Sequence, residues 1–127
     1  MAAWTENELS RIGDADEIQI AAARHDGTLR APRPVWIVRA GNDLYVRAAY
    51  GPGSAWHRIA RTSGRAQISA SGLQKDVNVE DADDAVLDQV DAAYRQKYGH
   101  RYPGIVDTIA DREHRATTLR LLPRDTA

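Results

Sequence analysis

Apolar residues recur along this chain at two spacings, and each change of spacing marks a new element. Between Glu17 and Ala22 the pattern alternates, with Ile18 and Ile20 on the inward face of a first strand. Val35 to Ala40 and Leu44 to Tyr50 read as second and third strands. Gly41-Asn42-Asp43 joins them as a tight hairpin, because Gly and Asn accept positive φ. On the third strand Leu44, Val46 and Ala48 share one face, and Tyr45, Arg47 and Ala49 share the other. The second strand is apolar on both faces apart from Arg39, as expected of a strand covered on each side. Ala66 to Ser71 and Asp76 to Glu80 supply fourth and fifth strands around a break at Gly72. Thr117 to Leu122 alternates through Leu119 and Leu121 as a sixth, closed by Pro123.

Helical spacing is confined to a few segments. Thr5-Glu6-Asn7-Glu8 is a capping box that opens a short helix carrying Leu9 and Ile12 and stopping at Gly13. Trp4, just ahead of the cap, is placed to staple that helix to the body. Ser54 is the N-cap of a helix from Ala55 to Thr62, which ends at Ser63-Gly64. The one long helix runs from Asp83 to Tyr98, with Val86, Val90, Ala93 and Lys97 on a stripe and Leu87, Tyr94 and Tyr98 beside it. Its acidic start and its Arg95 and Lys97 suit the helix dipole, and Gly99 stops it. Pro103 to Ala110 adds a helical turn. Asp26-Gly27 marks a turn, and the basic, proline-broken Thr28 to Pro34 predicts a loop or sheet edge. Hairpins with inserted helices predict an α+β fold: a six-stranded antiparallel barrel, with a short helix after the third strand and a longer one before the last.

Composition narrows the function. At 127 residues the chain is long enough for one domain with a real core, 1–127. The net charge of −1 gives no global pull toward nucleic acid or an acidic membrane. The absence of cysteine excludes disulfides, thiolate metal sites and cysteine nucleophiles. No apolar run approaches the ~20 residues of a membrane span, and the N-terminus does not read as a signal peptide. A cytoplasmic protein without nucleic-acid or membrane partners is therefore expected. Phenylalanine is missing, so tryptophan and tyrosine supply every large aromatic contact. Lys75 and Lys97 are the only lysines; the arginine excess suits forked anion recognition, and equally the codon bias of a GC-rich genome. Charge is segregated: from Arg24 to Arg65 eight arginines face only Asp26 and Asp43, whereas Asp76 to Asp91 holds seven acids and no base.

These features meet at one place. Gly51-Pro52-Gly53-Ser54 runs from a strand into a helix, and a helix start offers unpaired N–H groups to an anion. Arg39, Arg47, Arg58 and Arg61 lie within or beside it, so an anion cradle is predicted; the competing reading pairs Arg47 with an acid and makes the loop only a turn. His57, in the first helical turn, is disfavoured as a cation and fits a neutral donor or proton acceptor, or else a satisfied polar group at a pocket rim. Tyr50 ends a strand beside the loop and is the better ligand contact, whereas Trp36 reads as core. His25, His100 and His114 have no metal spacing, and Asp81-Ala82-Asp83-Asp84 is accounted for by helix capping, so no metal is expected.

The stretches PVWIVRAGNDLYVRAAYG, AWHRIART, DAAYRQKYG and ATTLRLLPR together resemble the small bacterial family called domain of unknown function 2255. That family is similar to the flavin- and deazaflavin-binding split barrels, such as pyridoxamine phosphate oxidases and deazaflavin-dependent nitroreductases. The resemblance implies a six-stranded split barrel forming a homodimer, with FMN or a deazaflavin in clefts at the dimer interface. It implies that Arg47, Ser54 and Arg58 or Arg61 hold the cofactor phosphate while Trp56 and His57 border the ring. Gly27, Arg30 and Arg33 stand where deazaflavin enzymes carry a glycine- and basic-rich loop, of which this chain keeps only part. The activity implied is an oxidoreductase acting on a quinone, nitroaromatic or enone. Two alternatives use the same cleft: a cofactor-free acid–base enzyme of isomerase or cyclase type working through His57 and Tyr50, and a non-catalytic ligand-binding dimer.

Overall fold

The two ends of the sheet are neighbouring pieces of one stretch of chain, residues 33–40. A computed structural model describes residues 3–124. Its strands are β1 (Ile18–Ala22), β2 (Arg33–Val35), β3 (Ile37–Ala40), β4 (Asp43–Val46), β5 (Arg65–Ala70), β6 (Leu73–Asp81) and β7 (Leu119–Pro123). They form one antiparallel sheet in the order β2-β1-β5-β6-β7-β4-β3. Since β2 and β3 are separated only by Trp36, the sheet curls until its edges nearly meet, giving the expected split barrel.

The strands number seven rather than six, for a local reason. The predicted strand Val35–Ala40 breaks at Trp36, where the chain leaves β1 and joins β4. Its upstream part extends back through Pro34, which lacks a donor and is tolerated because β2 is an edge strand.

Five helices dress the barrel: α1 (Glu6–Gly13), α2 (Ala55–Ser63), α3 (Leu87–Tyr98), α4 (Pro103–Ile109) and α5 (Arg112–Arg115). The capping box of α1 forms as expected: the Glu8 N–H donates to Thr5 Oγ1 at 3.1 Å and the Thr5 N–H to Glu8 Oε1 at 2.9 Å. Trp4 staples α1 to the body, its Nε1–H donating to the Leu121 carbonyl at 2.9 Å. Gly64, in the left-handed region at φ 73°, ends α2 by donating to the Ala60 carbonyl. The long helix starts later than its acidic residues suggest, because Asp84–Val86 is a 3-10 turn.

Two apolar clusters result. Inside the barrel, Ile18, Ile20, Leu44, Val46, Ile68, Val77, Leu119 and Leu121 pack with Leu9 and Ile12 of α1 and Trp56 and Ala60 of α2. Outside it, Val38 and Tyr45 from the other face of the β3–β4 hairpin pack with Val90, Tyr94 and Tyr98 of α3 and Val106 and Ile109 of α4. The alternation at Leu44/Tyr45/Val46 therefore feeds both clusters, and the segment that follows β4 is clamped between them.

Candidate functional site

The loop after β4 is shaped by the residues that end the strand. Instead of extending the ladder, the Ala48 N–H donates to Thr117 Oγ1 at 2.9 Å. Gly51 then takes φ 91°, a conformation that favours glycine, and its N–H donates back to the Ala48 carbonyl. Ser54 sits at the N-cap of α2: its carbonyl accepts from the Arg58 N–H at 3.1 Å, but its hydroxyl makes no capping bond. The N–H groups of Ala55, Trp56 and His57 thus head a helix without intrahelical acceptors.

The structure sorts the predicted arginines into committed and free. Arg47 is buried and committed. Its Nη1 lies 2.6 Å from Asp91 Oδ1, a charge contact rather than an aligned hydrogen bond. Its Nε donates to Thr118 Oγ1 at 2.8 Å, and its remaining nitrogens to the carbonyls of Ile109 and Leu87. The guanidinium also lies over the Tyr94 ring, 5.3 Å from its centre. Arg39 forks onto Glu6 at 2.7 and 3.0 Å, and Arg61 onto Asp81 at 2.8 and 3.0 Å. Among the described residues Arg33 and Arg58 form no ion pair; both are exposed. The charge segregation of the sequence is thereby partly undone in space, since Asp81 and Asp91 of the acidic stretch neutralise Arg61 and Arg47 of the basic one.

His57 is buried, and its Nε2 lies 2.9 Å from the Thr117 carbonyl. A carbonyl can only accept, so Nε2 carries the proton and Nδ1 keeps the lone pair. Burial holds the imidazole pKa below its ordinary 6.5, opposed by the Thr117 hydrogen bond and assisted by the Arg61 charge. His57 is thus a neutral side chain. Trp56 is buried with its ring edge-on to His57 at 5.6 Å, whereas Tyr50 is 95% exposed. Trp36, read from sequence as core, is half-buried and stacks on Tyr98 at 4.0 Å.

Two clefts flank the loop. An apolar one of about 280 Å³ is lined by Pro34, Trp36, Arg47, Tyr50, Trp56, Ile105 and Ile109, among others. A polar one of about 220 Å³ is lined by Pro52, His57, Arg58, Arg61, Thr62 and Thr117. The predicted residues divide between them: Arg47, Tyr50 and Trp56 on one side, His57, Arg58 and Arg61 on the other. Arg39 lies apart, beside Lys97 in a separate cleft, and Arg33 lines none of these. No group of three or more potential metal-ligating side chains occurs among the described residues, and no helix there is long and apolar enough to cross a membrane.

Sequence reasoning missed Asp91, Thr117 and Thr118, which organise this region. A signal for Asp91 was present: it falls at helical spacing in line with Leu87, Tyr94 and Tyr98, and a carboxylate on a buried stripe requires a cation. The two threonines carry no such signal, since the groups that donate to them, Arg47 Nε and the Ala48 N–H, lie far off in sequence, just past β4.

Known structures share this architecture at low sequence identity. The heme storage protein HutZ of Vibrio cholerae superposes with a TM-score of 0.70 at 16% identity, over 95% of this chain and 91% of that one. An FAD-binding protein of Mesorhizobium loti gives 0.56 at 16% identity, over 98% and 92%. An FAD- and heme-binding protein of Mycobacterium smegmatis gives 0.54 at 19% identity, over 93% and 65%. No curated protein matches the sequence. Residues 8–121 match the family described as an uncharacterized protein conserved in bacteria (DUF2255), and the chain belongs to that family.

Proposed function

We propose that the protein binds a flavin-like cofactor, FMN or a deazaflavin, with the ring in the apolar cleft and the phosphate in the polar one, and works as an oxidoreductase on a quinone, nitroaromatic or enone. The observation that carries this reading is the pairing of the two clefts across one loop: tryptophans and Tyr50 on one side, His57 and the uncommitted Arg58 on the other. Structural neighbours that hold FAD or heme support a ligand-binding use of the fold. Ligand sites usually measure ~300–1,000 Å³, so an apolar cleft of about 280 Å³ covers a ring system and not a whole cofactor. Its rim is exposed and apolar, with Tyr50 and Ile105 on it and Tyr102 packed against Trp36. An exposed apolar rim of this kind suits contact with a second copy of the chain, which supports the homodimer.

When bound, the cofactor supplies hydride transfer. The protein's part would be to cover the ring with Trp36 and Trp56 and to meet the phosphate with Arg58, with the neutral His57 lining the same polar cleft. Arg47, already neutralised by Asp91, serves this site as scaffold, as do Arg39 and Arg61 through Glu6 and Asp81.

Titration with FMN and with a deazaflavin, read by quenching of ligand fluorescence, tests the proposal. Saturable quenching is expected, weakened by ~1.5–3 kcal/mol in Arg58→Gln, the typical worth of a hydrogen bond to a charged group. Riboflavin, which lacks the phosphate, should bind both forms equally. Absence of saturable quenching by either cofactor overturns the reading, and hemin titrated in parallel tells whether a heme is held instead.

A further inference from the structure

A third cleft lies along α2, against the connection that follows β1. It encloses about 340 Å³ and is lined by Arg24, His25, Arg58, Ile59, Thr62 and Ser63. On the helix Arg58 and Thr62 lie on a flank turned away from Trp56, which lines the apolar cleft. We infer that this cleft is a binding site for a phosphate-bearing small molecule, held between Arg24 and Arg58 with its organic part against Ile59.

The charge arrangement carries the inference. Several arginines are matched to carboxylates, Arg39 to Glu6, Arg47 to Asp91, Arg61 to Asp81, Arg101 to Asp16 and Arg115 to Asp88 among them, whereas Arg24 and Arg58 belong to those that are not. Here two guanidiniums and an imidazole border one cavity, no acid lines it, and neither arginine forms an ion pair among the described residues. Two exposed guanidiniums bordering one cleft give it a positive potential that favours an anionic guest.

The nearest acid in sequence, Asp26, acts on Arg24 through its charge but makes no direct ion pair with it. Asp26 Oδ1 accepts from the Thr28 N–H at 3.0 Å and from the Thr28 hydroxyl at 2.7 Å, closing the turn. That turn in turn orders Arg24, whose Nη1 donates to Thr28 Oγ1 at 3.4 Å and to the Leu29 carbonyl at 3.0 Å, while Nε and Nη2 have no partner among the described residues. A forked side chain fixed at one nitrogen and free at the others is suited to a tetrahedral oxyanion. Arg58 faces it from the helix, and Thr62 adds a hydroxyl with no partner of its own among the described residues. The apolar side chain of Ile59 makes an ester of phosphate a better occupant than the free ion.

Backbone amide NMR at low ionic strength tests this, with phenyl phosphate, inorganic phosphate and pyrophosphate as separate probes. Phenyl phosphate is expected to shift the amides of residues 24–25 and 58–63 saturably, and to bind more tightly than inorganic phosphate. Arg24→Gln and Arg58→Gln should each weaken it at least ten-fold. Arg112→Gln, which removes an exposed arginine on α5 outside this cleft, should change it less than two-fold. Arg24→Gln should leave FMN affinity unchanged, which separates this site from the cofactor site. Shifts that fail to saturate, or an Arg112→Gln loss equal to that of Arg24→Gln, overturn the inference. Arg24 touches only its own turn, so the variant folds; an unchanged amide spectrum elsewhere verifies it.

Discussion

Replacing Arg47 by methionine separates two roles that the sequence leaves open, cofactor ligand and structural tie. The side chain is completely buried, and its partner Asp91 is only 19% exposed. Removing the guanidinium leaves the carboxylate with the half-buried Arg115 alone, at 2.9 Å, and strands Thr118 and two carbonyls that Arg47 had satisfied. Breaking a buried pair from one side costs ~3–5 kcal/mol. In a domain of this size each kcal/mol is worth roughly 4 °C, so the melting temperature of Arg47→Met should fall by about 12–20 °C. The double variant Arg47→Met/Asp91→Leu removes the orphaned charge and should regain at least half of that loss, because an apolar pair of similar volume often replaces a buried ion pair at little cost. Thermal and urea unfolding followed by circular dichroism read both. If Arg47→Met melts within about 3 °C of the parent while FMN affinity collapses, the tie between β4, α3 and α4 argued above is wrong, and Arg47 belongs to the ligand.

Four further outcomes follow from local geometry. Thr5→Ala removes one half of the capping box and should cost ~1 kcal/mol in urea unfolding. Gly64→Ala places a Cβ at φ 73° and should cost ~1–2 kcal/mol, with no change if the turn relaxes to a right-handed end. Because the folded-state pKa of His57 lies below 6.5, the unfolded chain binds the extra proton first as pH falls, so stability declines below about pH 6.5; His57→Gln should flatten that part of the profile, measured as urea midpoints across pH. Burial likewise lowers the Lys97 pKa from 10.5 to about 8, so its contribution to stability rises as pH climbs between those values; Lys97→Met should abolish the rise.

Much of the barrel was legible because its signals are local. Alternation at Leu44 to Ala48 assigns faces correctly whatever the neighbouring strands turn out to be, and the Thr5–Glu8 box needs only its own four residues. What was hidden depends on meetings across the chain. The break at Trp36 exists because β1 and β4 compete for the same stretch, which no window around Trp36 reveals. The helix α5 has no apolar stripe; its start is marked only by Asp111, which accepts from the His114 N–H. The anion cradle was drawn from proximity in sequence, yet Arg39 and Arg61 turn to carboxylates on other elements. Arg24 and His25, set in what reads as a plain turn, gained significance only once α2 was seen lying against them.

The position of β7 in the sheet has a bearing on how the molecule is made. This last strand lies between β6 and β4, Leu121 pairing with Val79 on one side and Leu44 on the other. On a ribosome the β3–β4 hairpin therefore emerges early but must wait for residues 119–123 before β7 can join it to β6. Such distant pairing slows folding, and meanwhile the open edge of β4 stays available to strangers. A chaperone that shields that edge during synthesis would act on this protein at its most vulnerable moment.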